Sequence, residues 1–517
     1  MKQNQLRIIL IAAVIVLAVS MVAVGCLIGN RMATVTDETT ALTTSVSADN
    51  PSFPEESAVS EESMVQLETA VPDEVPTDPL PPAEDPTPSL TILRVAVAAE
   101  TDPNDQEKLV AALDTFAEGF ASSNPGYAVE FVYGKDIPAT VTGKDGFDLI
   151  LCSANEMTGY VSDQTIELSA LVSEYGQDWL GAALALGRFG RKSDEQLFIP
   201  FCYDRAVLYA DKAVFETLNV ALPTGEMTLD QYESLIVNLT RKTDAGDLYV
   251  GVYMPYYEAR VWMMYCRGLG EGPIVNGELK LSSGKNYEAL SHMLLTLEYG
   301  YARSWKYAAY GSDNATCAMS LAYACNPAQD DRYVLTTGEL EADPGKNADV
   351  LLAEGRLVML PLPTFDGQYC GTANSAASYG FAVVADTQKA TAAESLILYA
   401  MGSEGQRLLN VAYGGIPVNK TLWGEDFWRV GYLACEGSEN VLVGIESDGT
   451  DNLYALLKTS GKTEFGDYYY TATRLDTLEW LYFYERIGNA DHTVANYAQV
   501  WLIEFDTEAN KLIRTRG

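Results

Sequence analysis

The sequence predicts a mixed α/β body held outside the cytoplasm behind an apolar anchor and an acidic tether. Three observations carry that expectation. Strand, helix and strand patterns follow one another from Thr91 onward, an uncharged apolar run fills Ile8 to Ile28, and the stretch between them has the composition of an unfolded spacer. Strands that alternate with helices are the mark of a parallel sheet covered by helices.

The anchor comes first. Lys2 and Arg7 precede the apolar run, so the positive-inside bias keeps the N-terminus cytoplasmic and exports the remainder. Two fates are open to residues 1–32. Ala23-Val24-Gly25-Cys26 resembles a bacterial lipobox, in which cleavage leaves Cys26 as the lipidated first residue, although the pattern prefers Leu where Ala23 stands. The 21 residues from Ile8 to Ile28 are also long enough to span a bilayer uncleaved. Either fate puts the body on the outer face of the cell membrane.

The tether spans residues 33–90 and holds 13 acidic residues, no basic ones and nine prolines. Such a chain cannot bury enough apolar area to offset the entropy of ordering it, and its like charges extend it. The body, 91–517, carries 58 acidic against 31 basic residues, a net charge of −27. A surface that negative repels nucleic acid, phosphorylated ligands and anionic lipid, which leaves neutral or cationic partners. With 48% hydrophobic residues in the chain, a large core needs no staples. The seven cysteines after Cys26 form no CxxC pair and read as buried thiols.

Several chemistries are excluded. The chain has two histidines, His292 and His492, which argues against Ser-His-Asp or Cys-His catalysis and against a His-ligated zinc. Gly461-Lys462-Thr463 lacks the leading Gly of a P-loop, since Leu456 stands there, and Gly268-Leu-Gly-Glu-Gly272 misses dinucleotide spacing. Tyr468-Tyr-Tyr470 could suggest iron ligands, but an alternating strand accounts for it. No metal or cofactor is expected. An acidic pair for glycoside hydrolysis stays open, because it cannot be recognised without geometry.

The elements of the body read in order as follows. Thr91–Ala98 is a β-rich run, and Asp105–Ser122 carries Leu109, Leu113, Phe116 and Phe120 at helical spacing. Tyr127–Val132 and Phe147–Cys152 read as strands, the second continuous in apolar residues and therefore buried. Phe198–Tyr209 is a further apolar segment, followed by Lys212–Asn219. Thr228 before Leu229-Asp-Gln231 reads as a helix cap with its acceptor three residues on. Tyr379–Ala385 is a strand, Ala390–Met401 a helix broken by Gly414-Gly-Ile-Pro417, and Leu475–Ile487 an aromatic-rich helix. No internal repeat is present.

Four stretches give this order a resemblance. They are Gly146-Phe-Asp-Leu-Ile-Leu; Leu197-Phe-Ile-Pro-Phe-Cys-Tyr-Asp-Arg-Ala-Val-Leu-Tyr-Ala-Asp-Lys with the Thr-x-Asp-x-Tyr helix start; Leu360-Pro-Leu-Pro-Thr-Phe-Asp-Gly; and Ser378-Tyr-Gly-Phe-Ala-Val-Val-Ala through Gly415-Ile-Pro-Val-Asn-Lys. Together they resemble the family 1 extracellular solute-binding proteins, the maltose-binding-protein-like receptors of carbohydrate ABC importers, across nearly all of 91–517. The resemblance implies a two-lobed periplasmic-binding-protein-like α/β fold that closes on its ligand by a hinge. Lobe one would combine about 91–200 with 356–410, and lobe two about 204–355 with 411–517. Crossovers would lie at Ile199–Asp204, near Ala318–Tyr323, and between Leu409 and Val418.

It also implies ligand-binding residues at the strand ends: Glu100 after the first strand, Asn155 and Glu156 after the third, and Tyr203 and Asp204 on the crossover. Tyr256 would stack from the second lobe, with Trp305, Tyr323, Tyr379 and Trp262 as further aromatic candidates. Sugars bind by stacking on rings while carboxylates and amides take their hydroxyls. Cys152 stands where maltodextrin-binding members place a Trp, so maltodextrin itself is not the expected ligand. The implied protein is a monomeric, non-enzymatic receptor that hands a neutral sugar to a membrane ABC permease. A receptor feeding a sensor, a binder of polyamine, peptide or iron, and a carbohydrate-active enzyme are the alternatives.

Overall fold

The computed structural model describes residues 90–98, 103–134, 146–157, 164–188, 195–253, 316–325, 344–365 and 368–449, with short pieces between 274 and 303 and at 503 and 506–507. The anchor, Cys26, the tether, and the expected Leu475–Ile487 helix lie outside the described residues, as do Glu100, Tyr256, Trp262 and Trp305. The side chain of Asn155 is also outside them, though its backbone lies in a short helix, Ala154–Met157.

In chain order, the elements that position the site begin with β1 (Thr91–Ala98), α1 (Pro103–Ser123), β2 (Tyr127–Gly134), β3 (Leu149–Ser153), β4 (Ile199–Pro200), β5 (Cys202–Tyr203) and β6 (Ala206–Asp211). They continue with α2 (Lys212–Leu218), α3 (Leu229–Leu239), β7 (Leu248–Tyr253), β8 (Ala302–Arg303), β9 (Thr316–Tyr323), β10 (Leu357–Leu360), β11 (Tyr379–Val383), α4 (Ala390–Met401), α5 (Ser403–Tyr413) and β12 (Ile416–Pro417).

Two sheets organise them. The first has the order β2-β1-β3-β11-β4. β1 runs parallel to both β2 and β3, with Val95 opposite Leu149, and β11 is antiparallel to β3 and β4. All five residues of β3 are buried, as are Val95, Ala96 and Val97 of β1. That is the continuous apolar pattern of strands covered on both faces. Leu113, Phe116 and Phe120 of α1 pack on this sheet, Phe116 within 6.4 Å of the Phe381 ring. The second sheet runs β8-β7-β9-β6-β10, with β9 antiparallel to β6 and parallel to β7. α3 covers β7 at very close range: a Cβ on Gly251 would overlap the backbone of Ile236.

The connections between the sheets correct two expectations. Thr316–Tyr323 is no crossover but a central, buried strand of the second sheet. Leu357–Leu360, placed by the sequence reading in the first lobe, pairs with β6 in the second sheet, so the return to the first sheet comes at Tyr379. The physical reason is shared. A run of buried apolar residues reads the same in either sheet, and only hydrogen-bond partners distinguish them. The first crossing is where it was expected: β4 ends the first sheet, β5 pairs with β12, and β6 enters the second sheet.

Candidate functional site

In an open parallel sheet, ligands gather outside the carboxyl ends of the strands, where the strand order reverses. Here the chain leaves β1 for β2 on one side and then places β3 on the other. The reversal therefore falls at the ends of β1 and β3, beside the crossing.

Ser153 closes β3 at this edge. Its amide and hydroxyl donate to Glu156 Oε2 at 2.8 and 2.9 Å, and the Glu156 amide donates back to Ser153 Oγ at 3.2 Å. This Ser-x-x-Glu pairing is a capping box. It holds the exposed Glu156 in place at the sheet edge, so the candidate is positioned by a local bond the sequence already displays.

Tyrosines surround the same edge. Tyr379 is opposite Ser153 in the β3–β11 register. Its ring lies 4.6 Å from that of Tyr413, the last residue of α5, and Tyr413 meets Phe201 edge-on at 5.3 Å. Tyr133 ends β2 one residue before Gly134. The hydroxyls of Tyr133 and Tyr413 are both buried and have no hydrogen-bond partner among the described residues. Burial, reinforced by nearby Asp114, pushes the Tyr133 phenol up to about 12. Burial again, with Tyr379, Cys202, Tyr133 and Cys152 close by, drives Tyr413 well above its ordinary range. Both therefore stay neutral phenols, able to donate one hydrogen bond and accept another. Neither was singled out from sequence. Their signals were slight: a Tyr at the end of a strand, and a Tyr immediately before Gly414-Gly415.

The crossing itself differs from expectation. Tyr203 and Asp204 are fully buried and engaged with the protein. Asp204 Oδ1 accepts from the amides of Arg205 and Cys325 at 2.8 and 3.0 Å, and Oδ2 accepts from Asn374 Nδ2 at 2.8 Å. Burial outweighs these bonds and raises its pKa. The Tyr203 hydroxyl donates to Asp448 Oδ2 at 2.9 Å, while Arg205 donates to Asp448 Oδ1 at 2.6 Å and to the carbonyls of Val441 and Val443, both at 2.8 Å. In this conformation the oxygens expected to meet a ligand are occupied by protein groups. Tyr323, at the end of β9, is buried against the same crossing, opposite Ala206. Arg205 and Asp448 were not anticipated, because Asp448 lies more than two hundred residues away in a turn without a motif.

Other expected features read plainly. His292 bonds Glu233 at 2.8 Å on a partly exposed surface. No disulfide joins the described cysteines, which are buried except for the half-buried Cys325. No group of three or more His, Cys, Asp or Glu suited to a metal occurs among the described residues, and among them no helix is long and apolar enough to cross a membrane.

No family model matches the chain, and no curated protein matches it. Solved structures do. The sugar-binding protein MalE from the phytopathogen Xanthomonas citri is similar with a TM-score of 0.58 at 14% identity, over 82% of this chain and 98% of that one. The GacH receptor of Streptomyces glaucescens, solved unliganded and with acarbose, gives 0.53 at 14% identity, over 82% and 99%. UgpB from Mycobacterium tuberculosis, in complex with glycerophosphocholine, gives 0.53 at 15%, over 83% and 99%. Together with the two sheets and their crossing, these likenesses establish that the chain has the two-lobed α/β fold of the family 1 solute-binding proteins that its sequence resembles.

Proposed function

We propose that this protein is a monomeric receptor that captures a neutral carbohydrate outside the cytoplasm and delivers it unaltered to a membrane ABC importer. The observation that carries the reading is the meeting of Tyr133, Tyr379 and Tyr413 at the carboxyl edge of the first sheet, beside the crossing. A sugar presents apolar C–H faces and hydroxyls that both donate and accept, and neutral phenols on flat rings match both demands. Structures of similar fold belong to a receptor solved with acarbose, a sugar-binding protein, and an ABC substrate-binding protein solved with cycloalternan. The apolar run at Ile8–Ile28, lipidated at Cys26 or left as a helix, holds the body at the outer face. The acidic tether then gives it reach to the permease.

Thermal unfolding of the full chain against mono- and oligosaccharides tests this. Ligand at about a hundred times its dissociation constant adds roughly 2.7 kcal/mol of stability, a rise of a few degrees. A rise with one class of saccharide, recovered intact, supports the reading; a cleaved saccharide turns it to an enzyme. One observation favours a second reading. The body is strongly negative, and tyrosine faces attract quaternary ammonium groups; the similar UgpB was solved with glycerophosphocholine. Stabilisation by glycerophosphocholine or spermidine, with no response to sugars, selects a cationic ligand.

A further inference from the structure

The tripeptide Tyr203-Asp204-Arg205 lies where the chain leaves one sheet for the other, and every polar group described on its side chains reaches a distant stretch except Arg205 Nε. Asp204 holds the Cys325 amide at the exit of β9 and Asn374 on the return path. Its backbone carbonyl also accepts from the Asn374 amide at 2.8 Å, and its amide donates to Ser378 Oγ at 3.2 Å. Arg205 and Tyr203 together hold Asp448 and the turn that begins at Val441. Main-chain bonds follow the same pattern: Ala206 to Thr372, Ala324 to Arg205, Gly449 to Gly371, and Ala373 to Gly449. Gly371 admits no side chain, since a Cβ there would overlap Asp448 Oδ1 and the Arg205 guanidinium.

We propose that Tyr203, Asp204 and Arg205 are positioning residues that join these stretches into one rigid body, so that movement of one sheet against the other is taken up outside them. Three features point the same way. Their side chains are buried, the bonds run to three separate stretches (at Cys325, at Asn374 and Ser378, and from Val441 to Asp448), and a buried guanidinium with its carboxylate tolerates little misalignment. The side-chain oxygens of Tyr203 and Asp204 are taken up by protein groups, whereas the hydroxyls of Tyr133 and Tyr413 have no partner among the described residues. The inference rests on the hinge motion that the receptor reading implies, but its test uses no ligand. A failed saccharide panel and a failed hinge measurement are therefore separate results.

The test is a distance distribution in the ligand-free full chain by pulsed electron paramagnetic resonance. Spin labels go on Glu118→Cys in α1 and Val237→Cys in α3, both exposed and one over each sheet; the parent without the added cysteines supplies the background. Tyr203→Phe removes one bond to Asp448, and Asn374→Ala removes one to Asp204. Each is expected to keep a cooperative unfolding transition while shifting or broadening the distribution by roughly 2 Å or more. Tyr399→Phe, which removes a buried hydroxyl without a hydrogen-bond partner among the described residues, should leave it unchanged. Distributions in both folded variants that superimpose on the parent would overturn the proposal.

Discussion

Tyr413 separates a packing role from a binding one more cleanly than any other side chain here. Its ring is held by Tyr379 and Phe201, while its hydroxyl meets no partner among the described residues. Tyr413→Phe should therefore leave the unfolding midpoint unchanged or slightly raised. It should nonetheless weaken binding of the stabilising saccharide by about 0.5–1.5 kcal/mol, the worth of one neutral hydrogen bond; equal affinity in variant and parent would make Tyr413 a packing residue. Asp148 carries the acid-range prediction. Burial pushes its carboxyl up, but the Arg94 amide, the Thr387 hydroxyl and Lys389 outweigh that and hold it below the ordinary range. A lowered folded pKa adds stability that is full above the unfolded pKa, about 4, and lost as the pH falls through the folded value. The stability gap between parent and Asp148→Asn should be widest near neutral pH and close in strong acid, as denaturant titrations would show. Asp204 has the opposite sign: its raised pKa means the stability it gives is full below the unfolded pKa and fades as the pH rises. Gly371→Ala should cost about 3–5 kcal/mol by driving apart the buried Arg205–Asp448 pair, read as a lower midpoint in urea. At this scale the sequence was a partial guide. Glu156 was placed after its strand by the resemblance while its capping partner Ser153 went unnoticed, and Arg205 and Asp448 meet only because the chain folds back over a distance that spacing cannot reveal.

Elements were legible where their signals are local. Ala390–Met401 was read with the bounds the structure gives, and Thr228 with Gln231 forms the capping box its spacing implied. The Thr228 hydroxyl receives the Gln231 amide at 3.2 Å, and Gln231 Oε1 takes the Thr228 amide at 2.8 Å. Thr228→Ala should therefore lower stability by about 1 kcal/mol, measured by equilibrium denaturation; no change would mean that α3 is held by its buried face alone. α5 escaped notice because its buried face comprises Gly405, Gln406 and Leu409, only one of them large and apolar. Ala318–Tyr323, expected as a crossover, belongs instead to the strand Thr316–Tyr323. It has the buried pattern of any interior strand, and its membership of the second sheet depends on hydrogen bonds to β6 and β7 that lie far off in sequence.

For the whole molecule, composition and order announced an α/β body, and the resemblance supplied two lobes. Which strand returns to which sheet, and what the crossing holds, required the three-dimensional partners. We propose that this hinged two-lobed receptor takes a neutral carbohydrate and leaves it intact. The most direct measurement is isothermal titration of the full chain with the saccharide that most raises its unfolding temperature, followed by chemical analysis of the recovered sugar. A saturable one-to-one heat, a negative heat-capacity change as apolar surface is buried, and a sugar returned unchanged are expected. No saturable heat with any saccharide, or a sugar recovered cleaved, would contradict it.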